Sequence, residues 1–149
     1  RGFAGLMWSI GVVAEIVMFL FMPRFVARYG IGELFLFLLL ITSARWLFIG
    51  LFGENLVILL AAQFLHAFSF AVAHSVSIEV VRTHFVEGRQ SQGQALYSSL
   101  SFGAGGALGA LGSGVLWHAY QEFTFVFASF ATSIAFLAVY FGMKKDKIV

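Results

Sequence analysis

Four ionisable side chains lie inside long apolar stretches of the sequence: Glu15, Arg45, His66 and His74. Burying an ionisable group among lipid chains is costly, so each one requires a partner, a water-filled cavity or a function. Glu15 and Arg45 fit two interpretations. They are either a structural ion pair between helices or part of a site that binds a proton or a solute.

The third apolar stretch carries a polar stripe. At about 100° per residue, Gln63, His66 and His74 fall within roughly 80° of one another on a helix, with Phe70 among them. Such a stripe predicts a cavity that is wet or lined by protein. The alternative is that each histidine bonds a neighbouring helix and keeps one protonation state.

A metal centre is a weaker interpretation of the two histidines. His66 and His74 are eight residues apart, about 12 Å along a helix axis, which is too far for one ion without a kink. The chain also has no cysteine, so it offers no thiolate ligand and no disulfide. The sequence predicts no metal and no cofactor.

The fourth apolar stretch contributes one further candidate and a packing motif. Tyr97 recurs with Gln94 and Ser101 at helical spacing and is a candidate for the same cavity. Small residues four apart then let two helix backbones approach closely. These helix-packing positions are Gly105, Gly106, Gly109 and Gly114.

The elements that must position these residues are membrane-spanning helices. Hydrophobic residues make up 60% of the 149 residues and charged residues 11%, too few polar groups to cover a water-soluble domain. A helix of about 20 apolar residues spans the hydrocarbon core. The fold class predicted is all-α, a polytopic transmembrane bundle in the lipid bilayer. Its five spans are expected at about 3–22, 34–52, 56–81, 94–117 and 123–143.

The basic residues predict how these spans are oriented. The first span is expected to stop at Pro23, followed by a basic loop from Arg24 to Gly32; a second loop is expected from Arg82 to Gln92. Seven of the nine Lys and Arg residues fall on one side, which should be cytoplasmic and should include the C-terminus. They are Arg24, Arg28, Arg82, Arg89, Lys144, Lys145 and Lys147. The excess of basic over acidic residues follows from the membrane topology, and no nucleic-acid partner is predicted.

Two short segments resemble the major facilitator superfamily, in particular the relatives of lactose permease. The segments are Ser43-Ala-Arg45 and the stretch from Gln63 through His66 to Ser69. In that family an Arg on the ninth helix and a His on the tenth belong to the proton and substrate site. The resemblance implies that the five spans are helices 8–12 of a twelve-helix fold. Residues 1–149 would then be an incomplete C-terminal six-helix half, with the N-terminal half of the protein missing.

Within the superfamily, the chain is most similar to phenylpropionate-permease-like and nucleoside–proton symporters. The likeness rests on the segments 11–15, 65–68 and 93–101. It implies secondary active transport of a small organic solute, by proton symport with alternating access, in the bacterial inner membrane. Ser69 stands where lactose permease has its proton-exchanging carboxylate, so the acid would be Glu15 or lie in the missing half.

Two other functions are compatible with the sequence. One is a transporter-like sensor or scaffold that moves no solute. The other is an intramembrane metal enzyme, which the spacing of His66 and His74 disfavours. No nucleophile constellation or phosphate loop is present, and the sequence predicts that the protein is not an enzyme.

Overall fold

The computed structural model describes residues 2–146, with side-chain positions for residues 5–144. Throughout this part of the chain the fold is helical, without strands, as predicted. The helices are α1 (Gly2–Tyr29), α2 (Ile31–Phe52), α3 (Leu56–His84), α4 (Gln90–Ser98), α5 (Gly106–Tyr120) and α6 (Thr124–Asp146). A π-helix, Ser99–Gly105, joins α4 to α5, and a 3₁₀ turn, Gln121–Phe123, joins α5 to α6.

Helix α1 does not end at Pro23, where the sequence predicts its end. It continues through Pro23 to Tyr29, so the predicted basic loop is mostly helical. Proline removes one helical hydrogen bond. The neighbouring Met22 is buried in the core, with 2% of its surface exposed, and its packing compensates for the lost bond. The connection to α2 shrinks to Gly30, whose φ of +78° is in the region that glycine adopts without strain.

Helix α3 begins with a side-chain cap. The Oδ1 of Asn55 accepts hydrogen bonds from the backbone N–H of Val57 at 2.9 Å and of Ile58 at 3.4 Å. These bonds satisfy donors that the first turn of a helix leaves free. The helix ends at His84 and α4 begins at Gln90, so the second predicted loop is shorter than expected.

The core lies where α1, α2 and α3 meet. It is formed by apolar side chains from all three helices: Met22, Leu34, Leu38, Ala71, Val72 and Val76. Helices α1 and α3 run parallel, because Gly11 lies against Gln63 while Glu15 lies against His66. The ends of α1 and α3 that carry arginine are therefore at the same end of the bundle.

Helices α2 and α6 run antiparallel and pack closely. Ser43 contacts Ser129 and Ser133, whereas Trp46, one turn later on α2, stacks on Phe125 at a centroid distance of 5.5 Å. The last turns of α6 consequently lie at the end of the bundle where α1 and α3 carry their arginines. The clustering of the basic segments is confirmed up to Lys144, while Lys147 and the side chain of Lys145 lie outside the described residues.

Four helical stretches within residues 5–144 are long and apolar enough to cross a membrane: Gly5–Tyr29, Ile31–Phe52, Leu56–His84 and Gln90–Lys144. The last has 55 residues, far more than the roughly 20 that one crossing needs. The 3₁₀ turn interrupts it, and Gln121 there has a φ of +50°. Helix α5 is exposed along nearly its whole length, and at Gly106, Gly109 and Gly114 an added Cβ would meet no atom within 4 Å. The predicted packing of this glycine face stays a prediction.

Candidate functional site

Glu15 on α1 and His66 on α3 are in direct contact. The Oε1 of Glu15 lies 3.3 Å from the Nε2 of His66, and the two side chains are 20% and 39% exposed, respectively. Glu15 therefore faces the helix that carries His66. The contact forms because α1 and α3 run parallel, so that Gly11 lies against Gln63 and Glu15, one turn farther along, lies against His66.

An open cavity of about 470 Å³ surrounds this contact. It is lined by Met7, Trp8, Gly11, Val12, Glu15, Leu59, Gln63 and His66. The amide of Gln63 lies against the α1 backbone, where a Cβ added to Gly11 would stand 3.2 Å from its Oε1. Gly11 therefore leaves room for the Gln63 amide beside the carboxylate.

Arg45 is buried on α2 with only 8% of its surface exposed. Its guanidinium carbon stands 4.0 Å from the centre of the Trp46 ring, and its Nε has no hydrogen-bond partner among the described residues. Among residues 5–144 the ion pairs are Glu15 with His66 and Glu79 with Arg82, so the pairing of Glu15 with Arg45, one of the two predicted alternatives, does not form.

The structure places His74 and Tyr97 in a second cluster, about two turns farther along α3. Their ring centroids are 6.1 Å apart, and Phe19 meets the imidazole edge-on at 5.9 Å. The Nδ1 of His74 is buried and accepts or donates no hydrogen bond within the part of the chain that the structure describes. A separate cavity of about 560 Å³ reaches this histidine from the side of Pro23 and Glu79. Of the six polar candidates, the structure thus groups Glu15, Gln63 and His66 in one cavity. Arg45 is buried on α2 and does not line that cavity, and His74 and Tyr97 form the second cluster.

A hydroxyl cluster between α2 and α6 was not predicted. The Oγ of Ser43 lies 3.0 Å from that of Ser129 and 2.7 Å from that of Ser133. Ser129 also donates to the carbonyl oxygen of Ser43 at 2.8 Å. The four-residue spacing of Ser129 and Ser133 was the available signal, because it places both hydroxyls on one face of α6.

Comparison with known proteins identifies the family to which these helices belong. The family model described as the MFS_1 like family matches residues 1–141, nearly the whole chain. The chain belongs to the MFS_1 like family. The resemblance noted in the sequence is thereby confirmed at the level of the superfamily, and the protein is an integral membrane protein of a transporter family and not an enzyme.

One curated relative resembles the chain over most of its length. It is described as a probable 3-phenylpropionic acid transporter of Escherichia coli (strain K12), and it is 28% identical over 128 residues. The aligned region covers 76% of this MFS_1 like chain and 32% of the relative, so the chain spans about a third of the relative's length. No solved structure matches.

Proposed function

We propose that this chain is part of a secondary transporter that moves a small organic carboxylate across the membrane together with protons. Transport would proceed by alternating access, in which two helical halves rock around a site near the middle of the bilayer. Glu15, Gln63, His66 and Arg45 would line this chain's portion of that site. Membership of the MFS_1 like family supports transport in general.

The observation that carries the proposal is a buried positive charge, Arg45 on α2, which pairs with no carboxylate among residues 5–144. Arg45 is only 8% exposed and its Nε has no hydrogen-bond partner among the described residues, so its charge is costly in a low-dielectric environment unless an anion approaches it. Glu15 is already engaged with His66, 3.3 Å away. A solute carboxylate is therefore the natural partner of Arg45, since carboxylates match guanidinium geometry.

The substrate class follows from that charge and from the relative. The relative's description names 3-phenylpropionic acid, an aromatic ring on a short carboxylate arm. In this chain the cavity next to Glu15 also contains Trp8, an aromatic side chain that is 77% exposed. We propose an aromatic carboxylate, with the ring near Trp8 and the carboxylate directed toward Arg45.

The proton would be carried by the Glu15–His66 pair. A carboxylate and an imidazole in contact can hold or release a proton as the charges around them change, and the arrival of an anion at Arg45 is such a change. Glu15 and His66 line one cavity, so in this scheme the proton is held where the solute enters. The acid in this scheme is Glu15, which replaces the carboxylate that Ser69 does not supply.

We also propose that the helices make five crossings, with the 3₁₀ turn Gln121–Phe123 dividing the long fourth stretch, and that the C-terminus is cytoplasmic in a bacterial inner membrane. The crowding of basic residues at one end supports this orientation. The N-terminal half of the transporter, with the rest of the site, would lie outside this chain, which spans 32% of its relative.

The proposed function is tested by uptake into proteoliposomes that contain the full-length protein. We expect radiolabelled 3-phenylpropionate to accumulate when an inward proton gradient is imposed, and a protonophore to abolish the accumulation. The neutral analogue 3-phenylpropionamide should not compete, because it offers Arg45 no charge. Equal uptake with and without the gradient would exclude proton coupling, and no uptake of any small carboxylate would favour a sensor or scaffold.

Variants of the arginines locate the substrate carboxylate. Arg45→Gln should raise the substrate concentration for half-maximal uptake by about 30-fold or more, since removing one partner of a buried charge pair typically costs about 2–5 kcal/mol. Arg28→Gln is the matched control, because Arg28 is exposed at the end of α1. Equal effects of the two substitutions would contradict the assignment of Arg45.

A further inference from the structure

Three layers of side chains alternate along the parallel pair α1 and α3. Glu15 and His66 form a polar layer, and Phe19 and Phe70 form the next layer, one helical turn farther along each helix. His74 begins a third layer one more turn along α3, where Tyr97 of α4 joins it. The middle layer is the only one of these three without a polar atom.

The two phenylalanines of the middle layer fill the space between the histidines. Phe70 lies 6.0 Å from the His66 ring and 6.4 Å from the His74 ring, and it is nearly parallel to the latter, at 7°. Phe19 meets Phe70 edge-on at 6.4 Å and His74 edge-on at 5.9 Å. Edge-to-face contacts of this kind fix the relative positions of the rings.

The cavities on either side of this layer are separate. The cavity at Glu15 and His66 has a volume of about 470 Å³, and the cavity at His74 has a volume of about 560 Å³. They share no lining residue, although both are bounded by α1 and α3. Phe19 lines the second cavity, and Phe70 lies between the rings of His66 and His74.

We propose that Phe19 and Phe70 form an apolar barrier that closes the passage between the Glu15–His66 cavity and the basic end of the bundle. Apolar constrictions exclude water and ions because a narrow passage without hydrogen-bond partners empties of water. The inference rests on the proposed function, since a barrier matters where a solute passes along this face. It gives a role to Phe19 and Phe70, which are not among the residues proposed to bind the solute or the proton.

Cysteine labelling tests the barrier without requiring transport. The reporter is Gln63→Cys in the full-length protein, with any cysteines elsewhere in that protein replaced; Gln63 lies in the cavity at Glu15. A membrane-impermeant maleimide is added only from the basic end, using membrane vesicles that expose it. We expect slow labelling with Phe70 present. Phe70→Ala should accelerate labelling about tenfold, as expected for a barrier lowered by about 1.4 kcal/mol.

Matched variants separate a barrier from a general loosening of the bundle. Phe68→Ala removes the same ring from another side of α3, where Phe68 contacts Phe25 and Phe37, and should leave the rate unchanged. Phe70→Leu keeps apolar bulk and should stay slow. If the Phe70→Ala protein does not fold, Phe19→Ala removes the other ring of the layer and serves as the test. If the Phe70→Ala and Phe19→Ala proteins are labelled no faster than the Phe68→Ala protein, the proposal is overturned, whatever the uptake assay shows.

Discussion

At the scale of single residues, Glu15 pairs with His66 and not with Arg45. The carboxylate contacts His66 at 3.3 Å, which leaves the buried Arg45 without a carboxylate of its own in the described part of the chain. An unpaired buried cation is expensive, and proteins retain such groups where they have a function. The cost at Arg45 is the physical reason to expect an anionic solute.

The hydroxyl of Ser43 bonds across α2 and α6, and we expect it to contribute measurably to stability. Ser43→Ala should lower the free energy of unfolding by about 0.6 kcal/mol and by at most about 1.7 kcal/mol, the range for hydrogen bonds between membrane helices. The effect is limited because Ser129 still donates to the backbone oxygen of residue 43, and Ser133 still donates to the backbone oxygen of Ser129 within α6. Reversible unfolding of the full-length protein in mixed micelles measures it.

Thr132→Val is the control for that measurement. The Thr132 hydroxyl bonds only the carbonyl of Ala128 in its own helix, at 2.8 Å, so no contact between helices is lost among the described residues. If the two substitutions destabilised the protein equally, the hydroxyl cluster would add nothing to the packing of α2 on α6.

The sequence identifies candidate site residues only where an ionisable side chain is costly to bury. Glu15, Arg45, His66 and His74 stand out because ionisable groups are rare among apolar residues, and the helical period correctly placed Gln63, His66 and His74 on one face. Which residue contacts which was not predictable. That depends on the register of α1 against α3, which the sequence of neither helix specifies alone.

At the scale of helices, close packing occurs at glycines other than the predicted ones. A Cβ at Gly50 of α2 would come within 2.9 Å of Val126 Cγ2 and 3.1 Å of its backbone nitrogen. Because backbone cannot give way as a flexible side chain can, Gly50→Ala should destabilise the protein by about 1–3 kcal/mol, as overpacking does. A thermal unfolding scan of the full-length protein in detergent should show a lower Tm.

Gly142 of α6 provides the comparison. A Cβ added there meets no atom within 4 Å, so Gly142→Ala should leave the Tm unchanged or raise it slightly, because alanine favours a helix more than glycine does. A Gly50→Ala protein as stable as the Gly142→Ala protein would contradict the close approach of α2 and α6.

The glycine-rich face of α5 is exposed in this structure, and we predict that another helix covers it in the full-length protein. Gly109→Leu should then reduce the yield of folded protein, because the added side chain would separate two helix backbones. Ala107→Leu adds similar bulk on the far side of α5 and should be tolerated. Size-exclusion profiles of the two variants in detergent measure this, and equal profiles would show that lipid and not protein faces Gly109.

Helix existence was predictable and helix ends were not. Long apolar stretches specify the helices, since lipid leaves backbone groups no other partners. Pro23 misled the prediction for α1 because packing of Met22 outweighs the lost hydrogen bond. The π-helix at Ser99–Gly105 had no recognisable signal, because one extra residue per turn leaves composition unchanged.

At the scale of the whole molecule, the positive end of the bundle predicts its orientation. Glu87 lies in the connection between α3 and α4 at the basic end, and Glu54 lies between α2 and α3 at the other end. In the full-length protein, with any cysteines outside this chain replaced, Glu87→Cys should react with an impermeant maleimide only from the cytoplasm and Glu54→Cys only from outside. Labelling of both from one side would refute the topology.

The central claim is that the Glu15–His66 pair couples a proton to solute movement, and one substitution tests it most directly. Glu15→Gln keeps the size of the side chain and removes its charge, whereas Glu54→Gln makes the same change at an exposed turn. Proton-driven accumulation of 3-phenylpropionate by the full-length protein should be lost in the first variant and kept in the second, while downhill exchange persists in both. Unchanged accumulation by the Glu15→Gln protein would show that Glu15 is structural and that the coupling acid lies elsewhere.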